Sequence, residues 1–237
     1  MAASLLKGKL VAVTGAASGI GRATAELLAQ HGVLLSLCDI NESELEAFKS
    51  ELKKEDSEIF TCAVDPVWGA ANIAGTTGPS FFQERGSIRN LSDDEFHDLM
   101  NINLTGVFNC VRVQLPYIQI GRNGRNGGSI VNMASLAGIK GVPLGCPYTV
   151  AKHGIIGLTR TLAREEGKRA IRVNAIAPGV IITPQSARVT PTAQDVRSWC
   201  PDPALDRAGD AVEVAETIAF LLSSAGSYVN GTGYLED

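Results

Sequence analysis

The sequence has little cysteine and no pattern in it. Its five cysteines, at 38, 62, 110, 146 and 200, are odd in number, include no C-x-x-C pair and fall mostly inside apolar stretches. That composition argues against a disulfide framework and suits reduced, buried thiols in a cytoplasmic protein. Histidine is scarcer still: His31, His97 and His153 stand apart without ligand spacing, so no metal site is expected. Basic charge is not in excess. With 21 Lys and Arg against 25 Asp and Glu, the net charge of −4 offers no broad surface to nucleic acid or anionic lipid. The local pair Arg122 and Arg125 lies in an Asn/Gly-rich turn, GRNGRNGG, and reads as solvated loop. No apolar run approaches the roughly 20 residues of a membrane span, and Lys7 and Lys9 interrupt the short apolar start, so neither a span nor a signal peptide is expected. What remains is 237 residues, 45% hydrophobic and 19% charged, enough for one well-filled α/β core and read as a single domain over 1–237.

That core is organised around LVAVTGAASGIGR, residues 10–22. Its apolar start reads as a strand buried on both faces. Gly15, Gly19 and Gly21 follow, and an apolar helical pattern (Ile20, Ala23, Leu27, Leu28) begins beneath them. A glycine-rich turn at a helix N-terminus suits a phosphate: the missing Cβ atoms let backbone approach it, and free N–H groups with the helix dipole favour its charge. A plain tight turn is the alternative for these glycines alone. A second apolar strand, 33–38, ends at Asp39, 18 residues beyond Gly21. An acidic residue about 20 residues on accepts the ribose 2′-OH in dinucleotide folds and repels a 2′-phosphate, which favours NAD over NADP.

Along the chain, 42–54 reads as an amphipathic helix with Leu45, Phe48 and Leu52 inward, and 58–64 as a third strand closed by Asp65. The β-α-β-α-β order implies a parallel, doubly wound sheet. The next strand, 69–74, then begins only four residues after Asp65. The third and fourth strands of such a sheet lie roughly 14 Å apart, and a return to the same end needs about a dozen residues or more. The expectation is therefore that a crossover of about 20 residues is absent between Asp65 and Asn72. Beyond it come a loop, 76–90; a Ser92/Glu95 capping box; a helix over 93–115 with Phe96, Leu99, Ile102, Asn103, Val107 and Val111 on its inner side; a strand, 129–133; a helix, 148–166; a strand, 172–176; a mobile loop, 183–202; a helix, 212–223; and an edge strand, 233–235.

Tyr148 and Lys152 stand at i and i+4, on one helix face. A free phenol has pKa about 10; a neighbouring cation that lowers it by about 3 units, roughly 4 kcal/mol, makes a general acid–base near neutrality. An exposed helix pair is the alternative. Ser135 ends the preceding strand, where its hydroxyl can donate to a substrate oxygen or simply bond nearby backbone. Asn103 lies within the earlier helix and equally suits a buried amide satisfied by backbone.

Together Thr14-Gly15-x3-Gly19-Ile20-Gly21, Asp39, Asp65, Asn72-x-Ala74-Gly75, Asn103, Ser135, Tyr148-x3-Lys152 and Pro178-Gly179-x3-Thr183 resemble the short-chain dehydrogenase/reductase family over nearly the whole chain. The resemblance implies a Rossmann-type fold in which Tyr148 is the catalytic acid–base and Lys152 binds the nicotinamide ribose and lowers the tyrosine pKa. Ser135 would orient the substrate oxygen, and Asn103 would hold a water in a proton relay. Asp65 would contact adenine, Asn72, Ala74 and Gly75 would line the cofactor, and Ile181 and Thr183 would meet its carboxamide. Gly15, Ser18, Gly19, Ile20, Gly21, Asp39, Pro178 and Gly179 complete the implied cofactor set. Ser18 stands where NADP-preferring relatives often carry a basic residue, and the family's Asn-Asn-Ala-Gly reads Asn72-Ile73-Ala74-Gly75 here. The implied activity is NAD(H)-dependent interconversion of a secondary alcohol and a ketone, on a fairly apolar small molecule walled by Ile139, Val142, Leu144, Cys146 and Trp199. A non-redox member of the family and a catalytically silent NAD-binding subunit are the other readings. Pairing into homodimers or homotetramers through the helices 93–115 and 148–166 is expected by the same resemblance.

Overall fold

The computed structural model describes residues 1–54, 59–60, 67–122, 126–188 and 205–232. In it β1 (Leu10–Thr14), β2 (Leu34–Cys38), β3 (Ile59–Phe60), β4 (Gly69–Asn72), β5 (Ser129–Met133) and β6 (Arg172–Ile176) form a six-stranded sheet in the order β3-β2-β1-β4-β5-β6. Every pairing is parallel. The order reverses between β1 and β4, so the carboxyl ends of these strands open a crevice, the place where such sheets bind ligands.

The strands bury both faces. Val11, Val13, Leu35 and Leu37 pack with α1 (Gly19–Gln30), α2 (Glu42–Lys54) and α7 (Ala211–Leu222), whose Leu28, Phe48 and Ile218 are fully covered. Ala70, Ile130, Val173 and Ala175 pack on the other face against α4 (Gly106–Gln114) and α5 (Cys146–Glu166), through Val107, Val111 and Ile155. Burying each such Leu, Ile or Phe contributes about 1.5–3 kcal/mol. The three residues read as the inner stripe of α2, Leu45, Phe48 and Leu52, are all buried.

Four elements differ from the sequence reading. The helix expected over 93–115 is α3 (Asp93–Met100), one wide π turn (Asn101–Thr105) and α4. Leu99, Asn103, Val107 and Val111 recur every four residues, a spacing that drifts about 40° per step on a regular helix. The wide turn takes up that drift and keeps all four inward, while Ile102 is half exposed. Only half of the capping box forms: the Glu95 amide donates to Ser92 Oγ, and the Glu95 carboxylate turns to Ser80 instead. The loop expected from Thr183 begins as regular structure. β7 (Ile181–Ile182) pairs with β8 (Gly209–Asp210), and Thr183 caps α6 (Pro184–Ala187) in a reciprocal box with Ser186. α5 starts at Cys146 rather than Tyr148, since Pro147 at a first-turn position needs no N–H partner. The rest of that loop, Trp199 and the strand expected at 233–235 lie outside the described residues, as do Asp65 and Arg125.

β4 stands beside β1 in full register, Val11 to Thr14 against Gly69 to Asn72. The link to it from β3, residues 61–66, is outside the described residues. Above β1 and β2, on the face away from α1, Ala12, Leu34 and Ser36 are only half buried and Cys38 is exposed. Among the described residues no helix is long and apolar enough to cross a membrane.

Candidate active site

The glycine-rich turn is shaped by contacts that exclude side chains. Gly15 has φ +71°, a left-handed conformation, and a Cβ there would meet the Ala74 amide at 2.9 Å. A Cβ on Gly21 would run into the Gly15 carbonyl. Thr14 fixes the same corner, its hydroxyl accepting from the amides of Ile73 and Ala74 at 3.1 and 3.2 Å. Asp39 closes the turn from β2: its carboxylate accepts from the Ala17 amide and the Asn41 amide, each at 2.9 Å. The nearby Arg22 is held by Glu26 and Glu51, so its guanidinium is already paired with carboxylates. Across the crevice, the Thr183 side chain packs beside Gly19, and the Pro178 carbonyl accepts from the Leu136 amide.

The second cluster gathers at the ends of β4 and β5. Lys152 is 2% exposed, and its ammonium donates to the Met133 carbonyl at 2.7 Å. Burial lowers its pKa to about 7. Nζ lies 5.4 Å from the centre of the Tyr148 ring and close to Gly75. Burial pushes the Tyr148 phenol above its ordinary value, and a hydrogen bond with Ser135 pulls it back down. Lys152, which the resemblance assigns to lowering the tyrosine pKa, is itself strongly desolvated. Ser135 Oγ also accepts from the Ala137 amide. Asn103 is fully buried in the π turn. Its amide donates to the carbonyls of Thr76 and Leu99 and its Oδ1 accepts from the Thr76 amide, so one N–H and the oxygen brace Thr76 beside Gly75 while the other N–H bonds its own helix.

Comparison with known proteins decides what this pair of clusters belongs to. The profile described as "short chain dehydrogenase" matches residues 9–71, and that described as "Enoyl-(Acyl carrier protein) reductase" matches 69–237. The short-chain dehydrogenase/reductase aba4 of Botryotinia fuckeliana is 39% identical over 247 residues, covering 94% of this chain and 93% of its own. The crystal structure of levodione reductase superposes with a TM-score of 0.83 at 34% identity, covering 96% of this chain and 95% of that one. A 3-oxoacyl-[acyl-carrier protein] reductase with bound NAD, from Brucella melitensis, gives 0.80 at 30% identity, with coverages of 97% and 90%. The chain belongs to the short-chain dehydrogenase/reductase family.

Members of this family are oxidoreductases, and the crevice fits a dinucleotide: Gly15 and Gly21 let the turn close tightly on its own backbone and on Ala74 at the N-terminus of α1, and Asp39 stands at the rim of that turn. The side chains of two implied cofactor residues and of one expected pocket-wall residue are engaged inside the protein. Asn72 is 1% exposed and its amide is taken up within the sheet: Nδ2 donates to Gln114 and Asn132, and Oδ1 accepts from Gln114. Ile20 packs into the core below the turn. Ile139, read as a pocket wall, joins the core on the α5 side. Sequence reading passed over the Thr14 hydroxyl, although the residue belongs to the matching motif, and it missed Phe81. The Phe81 ring stands edge-on to Tyr148 at 5.4 Å; its one signal was a pair of aromatics, Phe81 and Phe82, in a Gly- and Pro-containing loop.

Proposed function

We propose that this family member is an NAD(H)-dependent dehydrogenase or reductase that interconverts a secondary alcohol and a ketone on a fairly apolar small molecule. The observation that carries the reading is the convergence of Ser135, Tyr148 and buried Lys152 beside Gly75, at the strand ends where the glycine-rich turn opens. Asp39 supports NAD over NADP: its carboxylate is anchored at the turn, and Arg22 is engaged with two glutamates.

A nicotinamide dinucleotide supplies or accepts the hydride when bound. The side chains handle the proton. Ser135 Oγ donates to the substrate oxygen, and Tyr148 Oη gives that oxygen a proton in reduction or removes it in oxidation. Lys152 Nζ, fixed by the Met133 carbonyl, holds positive charge against the tyrosine and the ribose side of the crevice. Asn103 acts through backbone, bracing Thr76 so that Gly75 stays flat against the site. Phe81 stands edge-on to Tyr148, and Leu144 is hydrogen-bonded to the same segment through the Phe82 amide, apolar neighbours that support an apolar substrate. Ile102, Phe108 and Val150 are exposed on the helices that the family reading assigns to pairing, which supports a homodimer or homotetramer.

The test is NAD reduction followed by absorbance over a panel of cyclic and polycyclic secondary alcohols, beside Tyr148→Phe. The expected result is turnover with the wild type and a loss of about 10²-fold or more in the variant, with NAD still bound by calorimetry. NAD binding without turnover on any alcohol or ketone overturns the reading and favours a non-redox or silent role.

A further inference from the structure

We propose that Phe81 is a positioning residue for the acid–base tyrosine: carried over the site by the strap 79–86, its ring fixes the rotation of the Tyr148 side chain and keeps the phenol directed at Ser135. The inference rests on the reading above only in taking Tyr148 as the acid–base group.

The strap is held at both ends of its reach. The Ser80 amide and hydroxyl both donate to the Glu95 carboxylate on α3, at 3.0 and 2.6 Å, which is why Glu95 leaves its own helix cap half made. Two residues on, the Phe82 amide donates to the Leu144 carbonyl at 3.2 Å, tying the strap to the loop that enters α5. Phe82 and Leu144 both have φ of +60°, left-handed conformations that non-glycine residues rarely adopt. Such backbone persists only where its surroundings over-determine it, and it gathers at functional sites. Here the two strained residues are the two partners of one hydrogen bond, and together they deliver Phe81.

The ring they deliver is 8% exposed and meets Tyr148 with centroids 5.4 Å apart and planes at 74°, an edge-to-face arrangement. The neighbouring Phe82 ring lies against it, with centroids 4.2 Å apart and planes at 51°. Its edge fills the place of a side chain at Gly145, the N-cap of α5, where a Cβ would meet Phe81 Cε2 at 2.6 Å. Gly145 has φ −131°, open to any residue, so the glycine is required by the ring and not by the backbone. Tyr148 lies in the first turn of α5, where its ring can rotate unless packed. Among the described residues Lys152 and Phe81 lie against the ring and Ser135 bonds the phenol; Phe81 is the one that packs on the ring from another element. Among the described residues the titratable and charged groups around this clasp are Lys152 on α5, Glu95 on α3, and Glu84 and Arg85 on the strap itself, the Arg85 guanidinium donating to the Pro79 carbonyl.

The experiment uses Phe81→Leu, Phe81→Tyr, Gly145→Ala and the double variant Phe81→Leu/Gly145→Ala in the full-length protein. Two quantities are read: kcat with its KM, and the ionisation midpoint of Tyr148 from the ultraviolet difference against Tyr148→Phe. Phe81→Leu is expected to lower kcat about ten-fold with KM within about two-fold, and to move the midpoint down by about half a pH unit or more as the phenol gains water. Phe81→Tyr, which keeps the ring, restores most of kcat. Gly145→Ala reproduces the loss by pushing the ring aside, and the double variant is no worse than either single change. A midpoint unmoved in both single variants overturns the proposal, as does a rise in KM with kcat intact, or additive losses in the double variant. Because the midpoint is read without substrate, a shift in a protein that turns over no alcohol supports the positioning role while removing the redox reading.

Discussion

Lys152 is a cation in a dry place. Its pKa falls from 10.5 to about 7 because burial penalises the ammonium, and the Met133 carbonyl is its hydrogen-bond acceptor. A lysine depressed in the folded state binds fewer protons there than in the unfolded chain between pH 7 and 10.5, so stability rises with pH across that window. Below pH 7 both states carry the proton and the full cost, on the order of 4 kcal/mol, is present. Relative to Lys152→Met, wild type is therefore expected to be the less stable protein at pH 6 and to close most of the gap by pH 10, measured by urea unfolding at each pH. Asp39 makes a second residue-scale prediction. Asp39→Ala removes the carboxylate held by the Ala17 amide, and the ratio of kcat/KM for NAD over NADP is expected to fall about ten-fold or more, a loss of roughly 1.5 kcal/mol. An unchanged ratio removes Asp39 from the choice of cofactor. Both residues were legible in the sequence as types at motif positions. Their environments were not: nothing in Tyr148-x3-Lys152 says that the lysine is 2% exposed, and burial is what sets its charge.

At the scale of elements, a ladder of amides crosses the second layer. Gln114 on α4 exchanges two hydrogen bonds with Asn72 on β4, Asn72 donates to Asn132 on β5, and Asn132 donates to Thr159 on α5. Asn72, Asn132 and Thr159 are all at most 1% exposed, so each hydrogen bond lost leaves a buried polar group without a partner. Asn132→Leu is expected to cost about 1–3 kcal/mol for the orphaned groups, seen as a lower urea midpoint. The periodic pattern alone located α2 and β5 to the residue, because burial on one face or both is written in the spacing of apolar positions. It missed the π turn at Asn101–Thr105, whose extra residue is visible only as a four-residue repeat held too long. Nor does it show the partners of the Asn72 side chain, since a polar residue at a strand end gives no sign of which neighbouring strand or helix will bond it.

The whole molecule turns on one short link. Ile59 is level with Leu35, Leu35 with Val11, and Val11 with Gly69, so β3 and β4 stand at the same height three strands apart. Six residues, 61–66, join Phe60 to Val67, too few for a crossover helix. The two family profiles change over just beyond that link, at residues 69–71. Against aba4 the 247 aligned positions hold 94% of 237 residues, about 223, so about 24 aligned positions carry no residue of this chain. We propose that a crossover helix is absent from this chain and that its absence is what leaves Leu34, Ser36 and Cys38 open over β1 and β2. Insertion of a relative's crossover between Asp65 and Trp68 is expected to raise the urea midpoint and tighten NAD binding, with Cys38 becoming slow to react with a thiol reagent. Equal stability and equal Cys38 reactivity with and without the insert sink the idea.

By itself the sequence determined the parallel α/β order, the strands and helices that carry it, and the residue types at the site, since apolar spacing, glycine and an i, i+4 pair are local properties of a chain. The tertiary structure decided what each of those residues does. It buried Lys152, tied the Asn72 side chain to Gln114 and Asn132, used both Asn103 N–H groups on backbone and brought Phe81 onto Tyr148. Those outcomes depend on desolvation and on partners distant in sequence, which exist only when the strands are paired and the helices laid over them.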